Sequence, residues 1–430
     1  MSRKSPTPPV FTSRRIWWAI FRQFCQWMPG LGKTFNFPVK RSCASDFAST
    51  VLEDEVQELA LAPEDLEQAR SILMSSMAKD AGDISTYPTG RSKLRSKAFK
   101  IDHCVVTGHT MMVLDISGAS VLDQVTGPMT CDQAQPTLLK HRRAPTGTFY
   151  TLTCRGHFDR FFASDVIPLL YFLRRHGQDI GPLHIVTNPE FPPFVEQSLR
   201  AICLAYGNVT ILELEKSERL VDVSALWLSR CPDAKEWTPV TRNEADELGH
   251  LLSDYHQLPA ASAPKSLLFV SRGDAKLRRL LNEAELMAEL MDFDFEFFLP
   301  KSDNHKAQIE AFRSARIVVA VHGAALTNLV FCQPGALIIE LFPSNQIKST
   351  YCWLAMRMGL RYRAVVGFSG DALQAFATKI PLVIAEVEAE LEGDQGAILP
   401  EPGAEERPNH SARSSFGFNV KRTTNDETGC

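Results

Sequence analysis

The sequence has ten cysteines, yet none forms a Cys-x-x-Cys pair or a short regular array. That spacing excludes a zinc-ligand cluster and a disulfide scaffold, and it suits free thiols in a reducing cytosol. No Gly-x-Gly-x-x-Gly run follows an early strand, so the usual dinucleotide fingerprint for NAD or S-adenosylmethionine is missing. No apolar run approaches the roughly 20 residues of a membrane span. Charge of one sign is not in excess either. With 46 basic and 50 acidic residues the net charge is −4, which gives nucleic acid no reason to be the main partner.

What is present is 430 residues with 44% hydrophobic content, enough for two or three domains. Charge is segregated at the amino end. Residues 1–45 carry eight basic groups and no acid, and residues 46–69 carry eight acids and no base. Apolar residues at helical spacing within 14–28 mark a peripheral contact with an anionic membrane, a disordered leader, or a short amphipathic helix packed on its own domain. Arg22 interrupts the run, and no signal-peptide core precedes a cleavage site. We divide the chain into a peripheral segment 1–95, with an acidic helix over 52–77; a domain 96–262; a domain 263–393; and a polar, disordered tail 394–430.

Residues 149–154, 183–187, 209–214 and 221–228 read as strands, with helices over 161–176 and 192–204. After Pro264 the alternation sharpens. Strands are expected at 266–271, 295–299, 317–321, 336–341 and 362–366. Helices are expected at 282–291, 306–315, 324–331 and 349–358, and at 371–393 with Pro381 as a break. Continuous apolar strands such as IVVAV read as buried on both faces, so the fold class is α/β with a parallel sheet.

Ligands of such sheets bind beyond the carboxyl ends of the strands. There stand Ser271 and Arg272 after one strand, His322, Gly323 and Ala324 after another, and Glu340 at the end of a third. Arginine grips a diphosphate with parallel hydrogen bonds. A helix opening after glycine offers free amides at close approach. A carboxylate accepts ribose hydroxyls. Together these residue types suit a nucleoside diphosphate.

The stretches FVSRGDAKLRRLLNEAEL at 269–286 and VVAVHGAALTNLVFCQPGALIIELFP at 318–343 resemble glycosyltransferase family 61. The matching positions are Ser271, Arg272, Arg279, Asn282, Glu283, His322, Gly323, Ala324, Leu326, Thr327, Asn328 and Glu340. The resemblance implies two facing Rossmann-like domains of the GT-B type. It implies inverting transfer from a nucleotide-sugar to a glycan or lipid-linked acceptor, as in cell-surface or capsular polysaccharide synthesis. A non-catalytic nucleotide- or sugar-binding component of such an assembly is the rival reading.

Inverting transfer requires a general base on the acceptor hydroxyl. His157, at the expected opening of a helix, is the first candidate, with Asp159 and Asp165 as competitors. Asp292-Phe293-Asp294 matches a metal-binding D-x-D pattern but lies between a helix and the start of a strand, on the wrong edge of the sheet. We therefore expect no metal and no cofactor besides the donor, and a cytoplasmic location.

Overall fold

The computed structural model describes residues 40–43, 48–60, 91–108, 113–115, 120–123, 139–152, 158–232, 240–368 and 373–395. The leader at 14–28, His157, residues 61–77 and the tail beyond 395 lie outside them. The chain forms two compact units, Met1–Glu388 and Ala389–Cys430, and the second is described only as far as residue 395.

The first unit holds two sheets. The amino-terminal one contains β1 (Lys40–Cys43), β2 (Thr50–Ala60), β3 (Arg91–Thr107), β4 (Val113–Asp115), β5 (Ser120–Asp123), β6 (Lys140–His141), β7 (Thr148–Thr151), β8 (Leu183–Thr187), β9 (Val209–Glu213) and β10 (Glu218–Pro232). Its main order is β1-β5-β4-β3-β10-β7-β8-β9, with β2 beside β3 and β6 beside β10. β10, β7, β8 and β9 run parallel, joined through α1 (Ile167–His176) and α2 (Pro193–Ala205). β3 pairs antiparallel with β10 along most of its length, so this sheet is mixed. β10 is buried on both faces by alternation: Leu226 and Leu228 enter one core cluster, Ala225 and Trp227 the other.

The second sheet is wholly parallel, in the order β12-β11-β13-β14-β15, from β11 (Ser266–Val270), β12 (Phe295–Phe298), β13 (Ala315–Val321), β14 (Leu337–Phe342) and β15 (Arg361–Val366). Connecting helices are α3 (Arg242–His256) ahead of it, then α4 (Glu283–Met291), α5 (His305–Ser314), the 3-10 helix Ala324–Phe331 and α6 (Thr350–Arg357), with α7 (Ile380–Gln395) following. Every residue of β14 is buried, as five apolar residues of its six lead one to expect, and Glu340 is buried with them. One contiguous core cluster includes Leu226 and Ile185 of the first sheet and Val318 and Ile338 of the second.

Two expectations change. Residues 50–60 are a strand, not helix, because pairing with β3 overrides local preference; Glu55 there accepts from Tyr171 Oη at 2.9 Å and pairs with Arg175 at 2.8 Å. Pro381 opens α7 instead of breaking a longer helix, since proline tolerates the first turn. The described residues ahead of it, 373–379, are not helical, and Leu280 and Phe376 form a parallel bridge. The expected helix after Gly323 spans Ala324–Phe331 and is 3-10.

A buried ion pair joins β10 to α3. Arg230 bonds Glu244, lies 3.8 Å over the Tyr171 ring and donates to Ser96 Oγ at 2.8 Å. The other Glu244 oxygen caps α3 by accepting from Thr241 N at 2.9 Å. Arg230→Ala leaves that carboxylate buried without its cation and should cost about 3–5 kcal/mol, read by chemical denaturation.

Candidate functional site

β11, β13 and β14 are adjacent and parallel, so the residues that follow them share one edge. The register sets Val270 beside Ala320 and Ala320 beside Glu340. Gly323 is extended, with φ at 176°, so its conformation suits any residue and the demand for glycine is one of space. A β-carbon on Gly323 would overlap the guanidinium of Arg272. The gap expected to admit a ligand oxygen is filled by the arginine expected to bind the same ligand.

Arg272 is half-buried. Its Nη2 donates to Leu277 O at 3.2 Å, while its Nε is buried with no partner. Burial, and then the neighbouring Arg278, lower its pKa from the ordinary arginine value. Arg278 Nε is likewise buried and unpartnered. Two neighbouring cations with donors unspent have the chemistry to bind an anion.

Arg278, not the expected Arg279, is the cation beside Arg272. Arg279 is exposed, and its carbonyl accepts from Phe376 N at 3.0 Å. The choice turns on backbone: Arg278 adopts a left-handed conformation with φ of 57°, and an Arg-Arg dipeptide gives no hint of it.

Several expected donor contacts prove to be braces. Ser271 Oγ donates to Glu283 Oε1 at 2.5 Å and accepts from Gly273 N at 3.1 Å. Asn282 clasps the backbone of Thr378, donating to its carbonyl at 3.0 Å and accepting from its amide at 2.9 Å. Asn328 is fully buried and donates to Gln308 Oε1 at 2.9 Å; Gln308 in turn donates to Lys301 O at 2.8 Å. Thr327 is buried, and Ala324 is half-buried where the 3-10 helix begins.

Glu340 also needs correction. Its carboxylate is fully buried, with Oε1 2.5 Å from His322 Nδ1 and Oε2 accepting from Tyr362 Oη at 2.6 Å. It does not reach out for ribose hydroxyls. His322 is nearly buried and lies between Phe342, at 5.1 Å, and Tyr351, at 5.3 Å.

A pocket of about 250 Å³ opens beside Arg272. Ser271, Arg272, Gln308 and Ala325 line it from the second sheet's layer, and Phe158 and Phe194 from the first. Phe158 belongs to the helical turn Phe158–Arg160. Asp159, in the same turn, is part-exposed and close enough to Tyr351 to help raise that phenol's pKa, after burial. Asp165 lies in the π-helical segment Phe161–Val166 and is completely buried, so it cannot meet a substrate hydroxyl. Asp292 and Asp294 are exposed, just ahead of β12 on the opposite edge. Among the described residues no group of three His, Cys, Asp or Glu side chains could hold a metal ion.

Residues 136–339 match the family model Glycosyltransferase 61. This segment is a glycosyltransferase 61 domain. The chain is 32% identical over 108 residues to the xylan glycosyltransferase MUCI21 of Arabidopsis thaliana, covering 24% of this chain and 21% of that protein. It is 30% identical over 110 residues to protein O-linked-mannose beta-1,4-N-acetylglucosaminyltransferase 2 of Bos taurus, and equally to that of Mus musculus, covering 24% of this chain and 19% of each. The chain thus spans about a fifth of the length of the curated relatives it matches. The glycosyltransferase 61 domain takes in the Arg272–Arg278 pair, Gly323 and the first part of β14.

Two outcomes follow from this packing. Gly323→Ala should leave the fold intact, because a flexible arginine can swing aside, but displace the Arg272 guanidinium and weaken anion binding about tenfold or more by calorimetry. The second concerns His305, which opens α5 behind the pocket wall. Its ring lies 5.9 Å from Phe158, 5.8 Å from Phe162 and 6.3 Å from Phe331, with both nitrogens unpartnered. Burial, and then His256, push its pKa down to about 3 from the ordinary 6.5. The unfolded chain therefore takes up a proton below pH 6.5 that the folded chain refuses until about pH 3. Stability should fall across that window by about 1.4 kcal/mol per pH unit. His305→Phe should remove that loss when denaturation midpoints are compared across pH.

Proposed function

We propose that the protein is an inverting glycosyltransferase that takes a sugar from a nucleotide-sugar and passes it to a hydroxyl of a glycan or lipid-linked acceptor, in the assembly of cell-surface or capsular polysaccharide. The observation that carries the reading is the pair Arg272 and Arg278, with unspent buried donors at the carboxyl edge of a parallel sheet. A diphosphate completes those donors. As the bond from sugar to phosphate breaks, negative charge grows on the departing diphosphate, and cations already in place stabilise it. The first amides of the 3-10 helix after Gly323 add to that field. Because this positive charge comes from the chain itself, transfer proceeds without a metal.

The pocket's two-sided lining supports a GT-B-like arrangement, with the donor on the second sheet and the acceptor approaching from the first. The general base then comes from the turn that includes Asp159, with His157 two residues ahead of it. The base draws the proton from the acceptor hydroxyl as its oxygen attacks the anomeric carbon from the face opposite the phosphate.

Arg272→Ala and Arg278→Ala should each weaken nucleoside diphosphate binding about 10- to 100-fold, the loss of a charge-assisted contact. Asp159→Asn should leave that affinity unchanged and lower kcat by about 100-fold or more. Calorimetry and turnover with a panel of nucleotide-sugars, each repeated with chelator, check all of these. Normal turnover by the Asp159 variant moves the base to His157, and donor binding without any transfer favours a binding module.

A further inference from the structure

We infer that Tyr362 is a positioning residue for donor binding, acting through Glu340 on His322. The inference rests on the donor-binding reading above. The three side chains come from three adjacent strands: Tyr362 from β15, Glu340 from β14, and His322 from the residue directly after β13. Tyr362 and Glu340 are buried, and only a trace of His322 is exposed.

The chain of bonds has a direction. Tyr362 is pushed well above the ordinary phenol range by burial and then by Glu340, so it keeps its hydrogen and donates. That donation, at 2.6 Å, holds Glu340 Oε2. Oε1 then faces His322 Nδ1 at 2.5 Å. A carboxylate only accepts, so Nδ1 carries the hydrogen, and Nε2 is the ring nitrogen left for a ligand. Phe342 and Tyr351 hold the ring plane from its sides. The Arg272 guanidinium packs where a β-carbon of Gly323 would stand, so the histidine is one residue away from the cation pair.

Without the Tyr362 hydroxyl, Glu340 Oε2 would be a buried oxygen lacking its donor. The carboxylate would turn to recover a partner, and the imidazole would turn with it. Neither Tyr362 nor Glu340 touches the donor in this scheme. Their contribution is the angle at which His322 meets it.

The test uses the full chain labelled with ¹⁵N-histidine, without ligand, and then calorimetry with uridine, guanosine, adenosine and cytidine diphosphates. Tyr362→Phe keeps the ring, and so the packing, and removes the hydroxyl alone. The Nδ1–H resonance of His322, far downfield in the native protein, should move or vanish in Tyr362→Phe. Affinity for the tightest nucleoside diphosphate should fall about fivefold. In a His322→Gln background the same substitution should cost nothing further, because its route to the ligand is gone. An unchanged His322 resonance, or an equal loss of affinity in both backgrounds, overturns the inference. If no nucleoside diphosphate binds the native protein, the donor reading fails and takes the binding role of Tyr362 with it; a moved resonance would still show that Tyr362 sets the histidine.

Discussion

The guanidinium of Arg272 stands where a β-carbon of residue 323 would be, and the site is arranged around that contact. Cations repel, and a buried cation with an unpartnered nitrogen is costly. Yet Arg278 is brought alongside it with its own Nε buried and unpartnered. Such a pair persists because the packing around it determines its position. Leu277 O holds one end of Arg272, the Ser271–Glu283 bond fixes the turn from which it springs, and the Asn282–Thr378 clasp fixes the far end of the loop. The loop is thus paid for before any ligand arrives, which is what preorganisation means in energetic terms.

A second constraint lies one layer beneath. β14 is apolar along its length except for Glu340, placed where a charge is hardest to keep. It stays because both of its oxygens are engaged, by His322 and by Tyr362. The polar trio and the cation pair meet at adjacent positions in the chain, His322 and Gly323. Burial on one side and partial exposure on the other let this strand end serve as both structure and surface.

Much of this was legible in the sequence. The parallel sheet announced itself through continuous apolar strands, and Arg272, His322 and Gly323 were placed together by the simple rule that strand ends carry ligands. Other parts could not be read that way. β2 looked helical because its partner, β3, begins some thirty residues later, and pairing over that distance leaves no local trace. Glu340 looked like a ligand contact because a strand-end acid gives no sign of which way it faces. Arg278 was hidden by a left-handed backbone that only the loop's pairing with residues near Phe376 imposes. Asp165 and Asp159 stand six residues apart, yet the π-helical segment buries one and leaves the other part-exposed. Motif and spacing located the site; side-chain direction decided each residue's part in it.

The clasp between Asn282 and Thr378 joins positions 96 residues apart, and it lies beyond the last strand of the sheet. A boundary drawn by eye after β15 would keep all five strands and every recognisable motif. It would also unfasten the loop bearing both arginines. A version truncated there would also lose the buried side chains of Phe376, Val383 and Val387, so the working unit must be taken to extend into α7.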